Sequence, residues 1–247
     1  MDRFITTFGA MDGFRAAITV FVAALSGFLL LYFFAASITW LLTRKLLPAL
    51  AIGAVVDQRP LRDRQIRREI ARSLITILVF GVYGLVTVLA WRVGLVSVEL
   101  HPSWPKILFD IVLLLAWNEV HFYCLHRLLH TRWLYRRVHR VHHESVAPTP
   151  FSTYSFHWLE AVLLGSVMIL PMLFFKFSLI ALLALPVISI AFNSIGHCNY
   201  NVFAKHPALH SASLEHSMHH LRVSGNYGFY LPFLDTWANT TFRRTTR

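Results

Sequence analysis

Histidine dominates the polar chemistry of this chain, and its spacing is helical. His126 and His130 are one turn apart, His139, His142 and His143 stand at i, i+3 and i+4, and His216, His219 and His220 repeat that triplet. On a helix, residues three and four apart share a face, so each cluster is expected to point one way. Neutral imidazole is a common ligand for first-row transition metals. A further pair, Asn193 and His197, lies four apart near the end of an apolar run, where polar residues are costly and mark function. The candidate ligands are therefore His126, His130, His139, His142, His143, His197, His216, His219 and His220, with Asn193 as a tenth, directly or through a water. A structural zinc site closes on four ligands, usually with cysteine. Nine or ten nitrogens suit two ions with positions left open, and ligand type alone leaves iron, copper and zinc as alternatives.

The elements that carry these residues are membrane helices. Of 247 residues, 56% are hydrophobic and only 14% charged, and the mean hydropathy is +0.54. A soluble domain carries nearer 25% charged residues. The formal charge of +11 sits in arginines beside apolar runs, which favours topology control and anionic lipid over nucleic acid. Cys124 and Cys198 fit neither a disulfide framework nor a CxxC site and are expected to be apolar filler.

Four to five transmembrane helices are expected. Spans are placed at 16–43 and 74–91, and a third starts near Pro105 and continues into the first histidine pair. From Ile107 to His126 a helix rises ~28 Å, so the pair is expected where the helix leaves the membrane. Two more apolar helices run over 159–175 and 177–196, with Pro171 and Pro186 kinking them or making a hairpin that does not fully cross. The arginine-rich loops after the first, third and fifth helices share one face. The neutral N-terminal segment, the 92–106 connection and Lys176 share the other. By the positive-inside rule the histidines face the cytoplasm, as a helical cap holding a di-metal site. No signal-peptidase pattern, retention sequence or internal repeat is evident. One all-α membrane domain is the reading, with N-terminal helices and a basic loop over 1–105 and a catalytic part over 106–247. The membrane is either a bacterial inner membrane or the endoplasmic reticulum.

Three further residues are candidates beyond the ligands. Glu119 sits two turns before His126 and is placed to orient a ligand imidazole through its second N–H, as outer carboxylates do. Asp235 is given a similar role, and His157 a place at the site's edge. Phe151, Tyr154, Phe156 and Trp158 are candidates for lining a lipid's approach, although an interfacial aromatic belt explains them equally well. His101, His121, His206 and His210 read as structural or surface residues. Asn239-Thr240-Thr241 matches a glycosylation sequon that a cytosolic position would leave unused.

The run Glu119, Tyr123, His126-Arg127, His130, Trp133-Leu134-Tyr135, His139, His142-His143 resembles the signature of the fatty acid hydroxylase/sterol desaturase superfamily. The ending His216, His219-His220, Asn226-Tyr227-Gly228, Leu234-Asp235 and Thr240 resembles its C-terminal signature. The likeness covers roughly 107–241. It implies an integral-membrane, non-haem di-iron enzyme that uses O2 and outside electrons on a lipid C–H bond, with the nine histidines as iron ligands. Three departures stand out. His157-Trp158-Leu159-Glu160 lacks the proline of a sterol-type element, Asn193 stands where some acyl-lipid hydroxylases have histidine, and the ending after Asp235 differs.

The expected activity is hydroxylation of an alkyl C–H bond of a fatty acyl or sterol-like lipid. The alternatives are desaturation or multi-step oxidation on the same site, and a histidine-based metal transporter or scaffold. A transporter is expected to line a path across the bilayer with ionisable groups, whereas only Asp110 interrupts the apolar part of the third helix. The chain carries no haem or flavin motif, so the electrons are expected from a cytochrome b5-like or ferredoxin-type partner steered by the basic face.

Overall fold

Residues 13–206 and 209–242 are described by the computed structural model of this protein. The neutral N-terminal segment used in the topology argument lies largely outside them. Helix α1 (Gly13–Leu41) continues through a π turn, Leu42–Leu46, to Leu47–Ala49. Helix α2 is Gln65–Arg92, α3 is Trp104–Leu129, α5 is Trp158–Met172 and α6 is Leu179–Gly196. Between α3 and α5 a helical segment over 132–143, here α4, joins Arg132–Leu134, a π turn Tyr135–His139, and Arg140–His143. Helices α7 (Ala212–Arg222) and α8 (Phe233–Trp237) follow α6.

Helices α1, α2, α3 and α6 are long and apolar enough to cross a membrane. At 15 residues, α5 rises only ~22 Å, short of the ~30 Å hydrocarbon thickness. The protein is an all-α, multi-pass membrane protein with, among the described residues, four helices of spanning length and one shorter apolar helix. Its outer faces expose large apolar side chains such as Phe34, Phe109, Val112 and Leu183, the reverse of a soluble fold and what lipid contact requires.

The five apolar helices close a ring. Helix α1 packs on α2, α2 on α5, α5 on α3, α3 on α6, and α6 back on α1. Two minimal strand pairs fasten the ring's ends. Ala54–Val55 (β1) pairs antiparallel with Tyr200–Asn201 (β4), in register Ala54 with Asn201. Val98–Glu99 (β2) pairs parallel with Phe177–Ser178 (β3), in register Val98 with Phe177. The second pair brings the 92–106 connection against the Lys176 turn, where Lys176 Nζ lies 2.8 Å from Glu99 Oε2. The sorting of loops into two faces is therefore present in the fold.

Helix α2 starts nine residues before the expected span, and its polar first turns are part of the core. Glu69, buried, accepts from Gln65 Nε2 (2.8 Å), Ser145 Oγ (2.7 Å) and Thr149 Oγ1 (2.5 Å). Arg72 donates to the Val141 carbonyl at 2.9 Å and to Glu144 Oε2 at 2.7 Å. A buried carboxylate needs such donors to be tolerated. Through them the basic end of α2 holds α4 and the loop behind it against the bundle.

Candidate metal centre

The nine histidines gather in two groups. His126, His130, His139, His143 and His219 form one, and His142, His197, His216 and His220 the other; within each, one ring nitrogen per residue lies within 4.8 Å of every other. The triplets do not point one way, as the spacing suggests. His139 and His143 enter the first group and His142 the second, while His216 and His220 enter the second and His219 the first. Residues four apart differ by only about 40° around a helix, but their neighbours by 100°. Each triplet thus runs between the two groups and serves both.

Inside the groups the Nε2 atoms converge. His143 Nε2 lies 3.1 Å from His139 Nε2, 3.2 Å from His130 Nε2 and 3.1 Å from His219 Nε2. In the second group, His197 Nε2 lies 3.2 Å from His142 Nε2 and 2.9 Å from His216 Nε2, and His220 Nε2 is 3.1 Å from His216 Nε2. One imidazole nitrogen cannot hydrogen-bond to three others, because it carries either one proton or one lone pair. The spacing is instead that of donors around a common centre. With metal–nitrogen bonds of ~2.0–2.1 Å, neighbouring ligands stand about 2.9 Å apart in an octahedron and about 3.4 Å apart in a tetrahedron. His126 Nε2, buried without a hydrogen bond, fits the same picture.

The opposite ring nitrogens are held by acceptors. His126 Nδ1 donates to the Tyr227 carbonyl at 2.9 Å, His197 Nδ1 to the Asn193 carbonyl at 2.8 Å, and His219 Nδ1 to the Gly225 carbonyl at 2.6 Å. His139 Nδ1 lies 2.8 Å from Glu160 Oε1. A carbonyl only accepts, so Nδ1 carries the proton and Nε2 keeps its lone pair for the centre. Outside the spans, burial pushes His139, His142, His216, His219 and His220 well below the ordinary imidazole range, and neighbouring histidines push further the same way. Neutral imidazole is the form that binds metal. The donor set and its tautomers fit two ions.

Above the groups an apolar cavity of about 140 Å³ lies inside the helical ring, with Phe28, Phe80, His121, Leu164 and Ser189 contributed by α1, α2, α3, α5 and α6. Phe122, Phe156, Leu164 and Asn193 line this cavity and also the narrow space beside His126, His139, His142 and His197. The apolar cavity thus borders the histidine groups across a shared wall.

The fatty acid hydroxylase family profile matches residues 111–240 of this sequence. The chain belongs to the fatty acid hydroxylase family. Among its relatives, lathosterol oxidase of Homo sapiens is 27% identical over 91% of this chain and 75% of that protein. The Delta(7)-sterol 5(6)-desaturase erg3C of Aspergillus fumigatus is 28% identical over 72% of this chain and 62% of its own. The very-long-chain aldehyde decarbonylase GL1-7 of Oryza sativa is 33% identical over 58% of this chain, but the match spans only 25% of that longer protein. No solved structure matches significantly.

Several expected roles change in this fatty acid hydroxylase fold. Glu119 touches no histidine. It accepts from the main-chain amides of Phe229 (3.0 Å) and Tyr230 (2.9 Å). Asp235 accepts from the amides of Tyr227 (2.8 Å) and Gly228 (2.6 Å) and from Thr240 Oγ1 (2.7 Å). Both carboxylates fix the 227–231 loop, whose Tyr227 carbonyl in turn orients His126. His157 stands apart from the groups, accepting from the Leu159 amide with its Nδ1 at 3.2 Å and so capping α5. Asn193 donates its side-chain amide to the Thr153 carbonyl at 3.2 Å and orients His197 through its backbone. Tyr154 and Phe156 line the cavity; Phe151 packs beside Tyr32 and Ile77, and Trp158 is exposed. Cys124 and Cys198 are free thiols.

Glu160, named from the sequence only as the end of the His157–Glu160 element and given no role there, is among the described residues the one carboxylate that reaches a metal-group imidazole directly. Its signal was present: it lies three residues after His157, in the first turn of an apolar helix, where an uncompensated charge is expensive. Its partner, His139, was already a candidate ligand, but nothing in the spacing joined α5 to α4.

Proposed function

We propose that this protein is a membrane-bound, O2-dependent di-iron oxygenase that hydroxylates an alkyl C–H bond of a lipid. The observation that carries the reading is the apolar cavity lying against the two histidine groups, with Phe122, Phe156, Leu164 and Asn193 as shared wall. Iron held by neutral imidazoles supplies the O2-derived oxidant that no side chain provides. The nine histidines hold the two ions by Nε2, Glu160 and the Tyr227, Asn193 and Gly225 carbonyls fix the rings, and the closed helical ring keeps water from the lipid chain. For hydroxylation, RH, O2, two electrons and two protons give ROH and water.

The electrons come from an external cytochrome b5-like or ferredoxin-type donor. Exposed Arg132, Arg136, Arg137 and Arg140 on α4 support this, because they offer an acidic carrier a basic landing beside the groups. The same arginines support a cytoplasmic orientation of the site.

A second reading, desaturation of the same lipid, is favoured by the likeness to the Delta(7)-sterol 5(6)-desaturase of Aspergillus fumigatus. There the same two electrons and two protons, with O2, remove two hydrogens and leave two waters. The two outcomes differ in where the bound lipid's hydrogens lie.

Metal analysis and lipid mass spectrometry test both readings. About two irons per chain are expected, lost in His139→Ala and in His219→Ala. A product one oxygen heavier supports hydroxylation, and one two hydrogens lighter supports desaturation. Less than one metal per chain after gentle extraction and iron reconstitution overturns the oxygenase reading.

A further inference from the structure

The apolar cavity carries a polar station whose hydrogen-bond arithmetic selects its ligand. His121, buried on α3, lies with its Nε2 3.0 Å from Ser166 Oγ on α5. Ser166 Oγ itself donates to the Leu163 carbonyl at 2.7 Å. Its single proton is therefore committed, and it can only accept from the ring. His121 Nε2 is thus protonated, and Nδ1 is left as a lone-pair acceptor that has no hydrogen-bond partner among the described residues.

One turn earlier, Asn118 repeats the pattern. Its Nδ2 donates to the Tyr230 hydroxyl at 3.3 Å, and that hydroxyl lies 3.0 Å from Ser189 Oγ. Asn118 Oδ1 accepts nothing among the described residues. His121, Asn118 and Ser189 all line the cavity, and no Lys or Arg does. A carboxylate or phosphate entering here finds no cation and, beside the acceptors, only the one spare hydroxyl proton of the Ser189–Tyr230 pair, too little to offset its charge in an apolar site. A neutral hydroxyl finds acceptors for its proton and an apolar wall for its hydrocarbon.

We infer that His121 Nδ1, with Asn118 Oδ1 beside it, anchors a neutral lipid through a hydrogen bond donated by that lipid's hydroxyl group. The inference rests on the cavity being the lipid site of the proposed oxygenase, and it makes His121 a specificity-determining residue for that site. It also sets a distance. Along α3, His121 and Asn118 stand ~8 and ~12 Å from His126. The carbon presented to the histidine groups is therefore separated from the anchored hydroxyl by several bonds. A sterol-type alcohol and a long-chain alcohol share this chemistry.

Binding to the purified protein in detergent tests the anchor without any turnover. The probes are cholesterol, hexadecanol, the methyl ether of each, and palmitate, with Kd measured by thermophoresis. One alcohol is expected to bind about three- to tenfold tighter than its own ether, the net worth of one hydrogen bond; which alcohol does so assigns the source. His121→Phe, which keeps the ring and loses the acceptor, is expected to abolish that preference while leaving ether binding unchanged. Ser166→Ala is the second variant, for use if the first does not fold: it frees the ring to take either tautomer, and the preference is expected to narrow. Ethers binding as well as alcohols, palmitate binding tightest, no probe binding at all, or a preference that survives these variants each overturns the anchor. Oxygen incorporation by the iron-loaded protein, followed in parallel, separates the two readings. An alcohol preference without oxidation sinks the oxygenase and leaves the anchor. Oxidation indifferent to the hydroxyl does the opposite.

Discussion

Glu160 Oε1 lies 2.8 Å from His139 Nδ1, both side chains are buried, and Glu160 Oε2 has no hydrogen-bond partner. A buried carboxylate with one oxygen unsatisfied is expensive when its only partner is a neutral imidazole. A dication held by Nε2 on the far side of the ring would compensate it, and the carboxylate would in return make the ring a stronger ligand. Glu160 is therefore expected to oppose stability in the metal-free protein and to favour metal retention in the loaded one. Glu160→Gln is expected to leave the melting temperature of the metal-free protein unchanged or higher. The same change is expected to weaken metal retention about 10- to 100-fold, read as metal left after competition with a chelator. A lower apo melting temperature with normal retention would reverse this assignment.

Glu119 and Asp235 act on His126 from a distance, through one loop. Removing either leaves main-chain amides of the 227–231 loop without acceptors, at a cost on the order of 1–3 kcal/mol for each donor that stays buried. Because both hold the same loop, Glu119→Leu and Asp235→Leu are expected to be non-additive by ~0.5–3 kcal/mol in thermal or denaturant unfolding. Both are expected to speed metal loss from the group containing His126 more than from the group containing His197. Additive effects with equal metal loss from both groups would mean that the loop does not transmit the restraint.

The two kinds of carboxylate mark how far the sequence could be read. The spans, the histidine groups and the sorting of loops follow from local pattern, since hydropathy and helical period act over a few turns. The division of each triplet between two groups is equally local, for the 100° step between His142 and His143 decides it. What escaped the sequence depends on chain closure. Glu160 meets His139 across 21 residues and Glu119 meets Phe229 across 110, and no periodicity encodes which loop amide a given carboxylate finds. The early start of α2 escaped for a related reason, because Glu69 is compensated by Ser145 and Thr149 from a segment 76 to 80 residues away.

Acid should destabilise the metal-free protein. Burial, the largest cause, and neighbouring imidazoles hold His139, His142, His216, His219 and His220 well below their ordinary range. For a histidine depressed in the folded state, the unfolded chain takes up protons first, near pH 6.5. Folding stability is thus fully present above that pH and falls as the pH drops, until the folded state's own lower values are reached. Chelator-stripped protein is expected to melt at a constant temperature from pH 8 to about 7 and progressively lower towards pH 5. Exchanging histidines in pairs, one from each group, should flatten the slope. A melting temperature independent of pH across this window would count against neutral, buried imidazoles.

Gly165 sets the width of the apolar cavity. A Cβ placed there meets the Tyr83 ring at 2.5 Å, and both residues line the cavity. The Tyr83 hydroxyl is fixed by its 2.6 Å bond to the Val162 carbonyl, so the ring cannot retreat without breaking that bond. Gly165→Ala therefore drives the ring inward or breaks the hydroxyl's bond to Val162, and helix propensity, which favours alanine, offsets only part of the strain. Lipid oxidation by the variant is expected to fall about tenfold or more, while its metal content stays at the wild-type level, because Gly165 touches no histidine of either group. Tyr83→Leu added to Gly165→Ala removes the collision and should restore much of the turnover. Unchanged turnover in the single variant, or loss of metal along with it, would show that this wall does not gate the lipid.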